Sequence, residues 1–262
     1  MTLLIFVHVP KAAGTTLQRV IDDRYPRRKV LTFADPEEAE AALARMTEAE
    51  RDEIEAVKGH VHFGVHRYFR RPARYVTMLR HPVARIASHY RYARSNSSHY
   101  LHDEVVGRNL DLAGYAASDL SDELQDGQLR MFSARARELA PPDEAALEEA
   151  KRMLEHEFAV VGLTERFDES LLLMQESLGW TTPYYARENE SRGSLPKLSE
   201  EALAAIEAAN PLDFALYGFA EELLAREIAA HSGFDERLER FRRRNRVLGP
   251  VSRVRGLGRR FG

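Results

Sequence analysis

Two groups of residues have the types and spacing to act on a phosphate-bearing ligand, and a third could move a proton. The first is Lys11, Ala12, Ala13, Gly14, Thr15 and Thr16, inside LLIFVHVPKAAGTTLQRVI at residues 3–21. An apolar run enters this turn and a helix-like pattern leaves it. Successive backbone N–H groups then face a ligand at the positive end of a helix dipole. Gly14 permits close backbone approach, the Thr15 and Thr16 hydroxyls add donors, and Lys11 supplies a compact charge. The lysine precedes the glycine, so the loop departs from G-x-x-x-x-G-K-[ST], and no apolar strand ends in the Asp that a kinase needs for Mg²⁺.

The second group is Arg80 and Ser88 in YVTMLRHPVARIASHY, residues 75–90. Arg80 closes a strand, where ligands bind in open α/β sheets, and its planar fork suits a phosphate. Ser88 lies two turns down the following helix. The third group is His60 and His62 in KGHVHFGVH, residues 58–66, which share one face if this stretch is a strand. They read as a metal pair or as a general base with a neighbour. A metal site needs a third ligand, and none is marked, whereas histidine titrates near neutrality and suits deprotonating a hydroxyl.

These groups need a frame. Residues 3–9 have the unbroken apolar character of a strand buried on both faces. Further strands are predicted at 29–33, at HVHFGVH, at ARYVTMLR and at FAVVGLTER. Helices are predicted after Thr15 or Thr16 to about Asp23, from Asp35-Pro36, from Thr47 to near Gly59 through a Thr47–Glu50 capping box, and from Pro82 to Tyr92. Residues 95–157 read as mostly polar and helical. Asp168 is expected to cap the helix that stops at Gly179, and Ser199 and Asn210-Pro211 to start two late helices. Strands alternating with helices predict an α/β fold, a P-loop-type central parallel sheet flanked by helices, with a helical C-terminal part.

Composition bounds the rest. The 262 residues suffice for one sizeable domain. No segment has the ~20 apolar residues of a membrane span, and no signal-peptide pattern opens the sequence, so the chain is expected to be cytoplasmic. Without cysteine there is no disulfide or thiolate ligand. Residues 237–262 hold ten Arg against one Glu, so this stretch is +9 in a chain of formal charge −3. We therefore divide the sequence into a domain at 1–236 and an Arg-rich tail at 237–262. The tail is a candidate for peripheral contact with an anionic membrane surface or with a polyanionic substrate, or is a solvated terminus. Arginine clusters this short do not predict nucleic-acid binding.

Together these residues resemble the sulfotransferases that use 3′-phosphoadenosine 5′-phosphosulfate (PAPS), most closely the heparan and chondroitin 2-O-sulfotransferase-like carbohydrate family with its bacterial relatives. VPKAAGTT at 9–16 is similar to that family's PK-x-x-GT-[ST] loop, and RHPVARIASHY to its R-[DH]-P-x-x-R-x-x-S-x-Y segment. The similarity runs over roughly residues 3–225, including VGLTERFDESLLLMQESLGW, NESR and NPLDFALYGFA. Ala13 departs from the commoner Gly, and His81 from the commoner Asp.

The resemblance implies that residues 11–16 hold the 5′-phosphosulfate and that Arg80 and Ser88 hold the 3′-phosphate. It puts the catalytic base on His60 and leaving-group stabilisation on Lys11, with no metal. His62 is carried as an acceptor-side residue. Asn189, Ser191 and Arg192 are carried as nucleotide binders on a lid, and Gln128 and Arg130 as candidates to face the acceptor. The implied acceptor is a carbohydrate or glycolipid; its identity and the oligomeric state stay open. Two alternatives stand beside this: a P-loop kinase of a small metabolite, and a non-catalytic glycan- or membrane-binding protein.

Overall fold

Residues 3–7 are buried without exception because they lie at the centre of a five-stranded sheet. In this computed structural model residues 2–186 and 198–258 are described, with side chains to position 249. The strands are β1 (Leu3–Val7), β2 (Val30–Phe33), β3 (Ala56–Gly59), β4 (Ala73–Leu79) and β5 (Phe158–Leu163). Their spatial order is β2-β3-β1-β4-β5, and every pairing is parallel. Ile5 of β1 pairs with Val57 on one side and Tyr75 on the other.

The helices are α1 (Gly14–Arg24), α2 (Pro36–Arg45), α3 (Glu48–Asp52), α4 (Pro82–Ser95), α5 (His102–Gly107), α6 (Leu112–Ala116), α7 (Ala134–Glu138), α8 (Glu144–Glu157), α9 (Phe167–Leu178), α10 (Glu200–Ala209), α11 (Pro211–Ala230) and α12 (Phe234–Gly258). The α/β expectation holds. One apolar core surrounds the sheet. A second, with Ile86, Val105, Tyr115 and Ile206, joins α4, α5, α6 and α10. Among the described residues no helix is long and apolar enough to cross a membrane.

Local signals account for most helix starts. Asp35 accepts from the Glu38 N–H at 2.9 Å, the Thr47–Glu50 capping box forms, Pro82 opens α4, and Ser199 caps α10. Three expectations are corrected. The helix from Thr47 ends at Asp52, because residues 56–59 are needed as β3 between β1 and β2. The strand expected over 60–66 is a loop and a short 3-10 turn. Gly59 ends β3 at φ 116°, where a Cβ would lie 2.0 Å from the Phe33 carbonyl oxygen, so the chain must turn away there. Asp168 does not cap α9: it lies in the first turn and accepts from the Tyr185 hydroxyl at 2.6 Å and Arg242 Nε at 3.2 Å.

α12 runs through position 237. Phe234, Leu238 and Phe241 join the main core, and Asn245 accepts from the Tyr185 N–H at 2.8 Å. Arg240, Arg243, Arg244 and Arg246 face solvent beside Val247, which is 70% exposed.

Candidate active site

Lys11 follows β1, His60 follows β3 and Arg80 follows β4, so the carboxyl ends of three adjacent strands meet at one crevice. That is where the order of an open parallel sheet leaves room for a ligand. The cavity there measures about 420 Å³. Its lining includes Lys11, Ala13, Gly14, Thr15, Thr16, His60, Arg80 and Ser88 from the sequence analysis, together with His8, His89, Tyr92, His99, Tyr100 and Glu123.

The loop after β1 holds two non-glycine residues in the left-handed region, Lys11 at φ 66° and Ala13 at φ 55°. Such conformations cost about 1 kcal/mol or more each and persist where the surroundings fix them. One restraint is Arg80, whose Nη1 donates to the Lys11 carbonyl at 3.0 Å. The expected Thr15 or Thr16 cap is absent: Ala13 precedes α1, and no side chain caps the helix. The positive end of the α1 dipole thus meets the cavity, whose lining includes Gly14, Thr15 and Thr16. Ala12 is fully buried, in the core rather than the cavity. Lys11 Nζ sits 3.9 Å from the Tyr92 ring centroid. Burial first, then the charges of Arg80 and Arg91, lower the Lys11 pKa, against the pull of Glu123. A crowd of cations raises the affinity of such a site for an anion.

Arg80 is held by its own backbone. Its N–H donates to Gln128 Oε1 at 2.9 Å, and its carbonyl accepts from Gln128 Nε2 at 2.9 Å. Gln128 is anchored in turn by Asp213 of α11, which accepts from the Gln128 N–H at 3.1 Å and the Leu129 N–H at 2.8 Å. Asp213 also pairs with Arg85 at 3.2 Å, both side chains at 1% exposure or less. Gln128 is therefore a clamp behind the site and does not face an acceptor. Arg130 is likewise turned inward, donating to the carbonyls of Gln125, Ala136 and Leu139.

His60 lies edge-on to His8, ring centroids 4.9 Å apart. Burial lowers the His60 pKa, partly opposed by Glu123 and Asp35, so the ring is neutral and basic near pH 7. His8 is pushed down to about 3, by burial first and then by His60, Lys11 and Lys58. Its Nδ1 pairs with Gln18 Nε2 at 2.9 Å. An amide NH₂ only donates, so the neutral ring carries its proton on Nε2. That nitrogen stands where a side chain on Gly14 would be: a Cβ there would lie 1.7 Å away. Gly14 thus makes room for a neutral N–H donor beside the phosphate loop.

His62 is not among the lining residues; burial, then the charge of Arg137, lowers its pKa to about 4. Because β3 stops at Gly59, the shared strand face expected for His60 and His62 does not form. Asn189, Ser191 and Arg192 lie outside the described residues. His8 had a signal in its position three residues before Lys11. Glu123 and the aromatic residues at 92, 99 and 100 had none. Among the described residues no three His, Asp or Glu side chains converge as a metal site.

A five-stranded parallel sheet flanked by helices, with a loop lysine and a clamped arginine at its carboxyl edge, defines an α/β protein whose crevice suits an anionic ligand. The galactose-3-O-sulfotransferase family model matches residues 1–251, and the chain belongs to that family. The carbohydrate-sulfotransferase resemblance thereby holds. Galactosylceramide sulfotransferase of Bos taurus is 29% identical over 195 residues, 64% of this chain and 44% of the bovine protein. The chain thus spans less than half of that relative. A mouse sulfotransferase solved in complex with PAP overlaps 80% of this chain and 63% of its own, at 14% identity and a TM-score of 0.37.

Proposed function

We propose that this protein transfers the sulfuryl group of PAPS to a hydroxyl of a carbohydrate or glycolipid acceptor, with galactose the sugar that the family's description suggests. The observation that carries this reading is the convergence of Lys11, the start of α1, Arg80, Ser88 and His60 on one cavity. The N–H groups of residues 14–16 and the two Thr hydroxyls hold the 5′-phosphosulfate, and Arg80 with Ser88 holds the 3′-phosphate.

The acceptor oxygen attacks sulfur in line. As the new S–O bond forms, His60 takes the hydroxyl proton, and the bond from sulfur to the phosphate oxygen breaks. The electron pair stays on that oxygen, where Lys11 and the His8 Nε2–H meet the growing charge. The products are adenosine 3′,5′-bisphosphate (PAP) and a sulfated sugar. Membership of a sulfotransferase family displaces the kinase alternative.

The exposed arginines of α12 beside Val247 support contact with an anionic membrane surface carrying a glycolipid. Binding to anionic liposomes that fades at high salt tests that part. The main reading is tested by calorimetry with PAP, then by transfer from PAPS to a galactoside panel. Binding of PAP and turnover are expected; absence of PAP binding would overturn it.

A further inference from the structure

Beside the phosphate loop the cavity is lined by a second group of residues that the donor assignment leaves unused. Glu123 lies in a short 3-10 turn, Asp122–Leu124, and lines the cavity with 38% of its side chain exposed. Its Oε2 is 2.8 Å from His89 Nε2, and His89 Nδ1 is 2.6 Å from the Tyr115 hydroxyl. His89 and Tyr115 are buried at 2% and 0% exposure, so the carboxylate is held from behind by a fixed relay. A carboxylate bonded to His89 and to the Tyr100 hydroxyl still keeps lone pairs for further O–H groups.

Beside it stand aromatic rings that face outward. His99 and Tyr100 stack at 4.7 Å, and Tyr92 meets His99 edge-on at 5.2 Å. Tyr100 is 61% exposed and Tyr92 44%. Large rings left open in a cavity are unusual for a folded chain and mark a binding face. The same Tyr92 carries Lys11 Nζ on its ring at 3.9 Å, so this wall adjoins the point where the sulfuryl group would leave.

We infer that Glu123, held by His89, and the Tyr100–His99–Tyr92 wall form the acceptor subsite, and that it takes an uncharged sugar and rejects an anionic one. The rings cover the C–H face of the sugar, and Glu123 accepts from hydroxyls next to the one that attacks. Burial raises the Glu123 pKa, but the hydrogen bond with His89 and the charge of Arg85 outweigh it, so the carboxylate is held below its ordinary range and stays ionised. A carboxylate or sulfate on the acceptor would meet it as a like charge. His89 acts here as a positioning residue.

This inference rests on the transferase reading above, and the test separates the two. The full chain is titrated with PAP and assayed with PAPS against methyl β-galactoside and its C6-carboxylate counterpart. The wild type is expected to prefer the neutral sugar by about tenfold or more in kcat/KM. Glu123→Gln is expected to raise KM for the neutral sugar about tenfold, narrow the preference to about threefold, and leave PAP affinity within about twofold. Tyr100→Ala is expected to raise the same KM with PAP affinity unchanged. The subsite is overturned by equal use of both sugars, by an unchanged acceptor KM in Glu123→Gln, or by no transfer to the neutral sugar while PAP binds. No PAP binding by the wild type would instead sink the donor assignment, and the subsite with it.

Discussion

The imidazole of His8 fills the space that a side chain on Gly14 would need: a Cβ there would lie 1.7 Å from His8 Nε2 and 2.0 Å from Cδ2. The ring cannot yield easily, since Gln18 holds its Nδ1 at 2.9 Å and His60 stands against it at 4.9 Å. Gly14→Ala is therefore predicted to destabilise the fold by about 1–3 kcal/mol and to weaken PAP binding about tenfold or more. In a His8→Ala background the added methyl has room, and the stability penalty should vanish. Urea denaturation of the two single variants and the double variant measures this coupling; additive penalties would refute it.

A base must be neutral to act. The His60 pKa is lowered from 6.5, first by burial, so the protonated form, which could not act as the proposed base, gains only below that value. The acid limb of kcat/KM is predicted to lie below pH 6.5 and to disappear in His60→Ala, with a loss of about 10²- to 10⁴-fold. Glu123 favours protonated His60. Glu123→Gln should therefore move the limb to still lower pH. A limb that survives in His60→Ala would assign the base elsewhere.

The parts of the fold that were legible in the sequence rest on short-range signals. Thr47 and Glu50, Pro82, and Ser199 each start a helix through bonds within three residues or through a fixed φ, and the apolar run at 3–7 needs both faces buried. The end of β3 was not legible. HVHFGVH has the alternation of a strand, but Gly59 is pressed on the Phe33 carbonyl, a contact set by the pairing of β2 with β3. Likewise Gln128 has no local mark of a clamp. Its role depends on Asp213, which lies 85 residues away. Glu123 joins the site only because α4 and the turn at 122–124 are brought together by His89 and by Arg85, whose Nη1 donates to the Glu123 carbonyl at 2.9 Å.

Arg80 is placed by two hydrogen bonds from one amide, at 2.9 Å each. Gln128→Ala removes both and leaves the backbone N–H and carbonyl of Arg80 without those partners. It is predicted to weaken PAP binding by about 1–3 kcal/mol although Gln128 touches no ligand. Arg80→Ala should have a similar or larger effect, and the double variant should lose little more than Arg80→Ala alone. Calorimetry with PAP, and with adenosine 5′-monophosphate as the control lacking the 3′-phosphate, reads this. A penalty of equal size for both nucleotides in Arg80→Ala would place its contact elsewhere.

Behind that clamp Asp126 lies against Asp213, accepting from its N–H at 2.7 Å. Burial, then the charge of Asp213, raises the Asp126 pKa from 3.8 to about 6. Between these values the folded chain binds more protons than the unfolded one, so this group makes stability fall as pH rises from about 4 through about 6. Asp126→Asn keeps an oxygen to accept from the Asp213 N–H, bonded at 2.7 Å, and tolerates the φ of 50° at this position. It removes the charge, so it is predicted to be more stable than the wild type at pH 8 by ~1–3 kcal/mol. The advantage should shrink toward pH 4. Asp213→Ala is the opposite case: it strips the buried Arg85 of its ion pair at 3.2 Å and should destabilise by about 3–5 kcal/mol. Urea denaturation at pH 4 and pH 8 distinguishes the two, and an Asp126→Asn variant less stable than the wild type at pH 8 would refute the like-charge account.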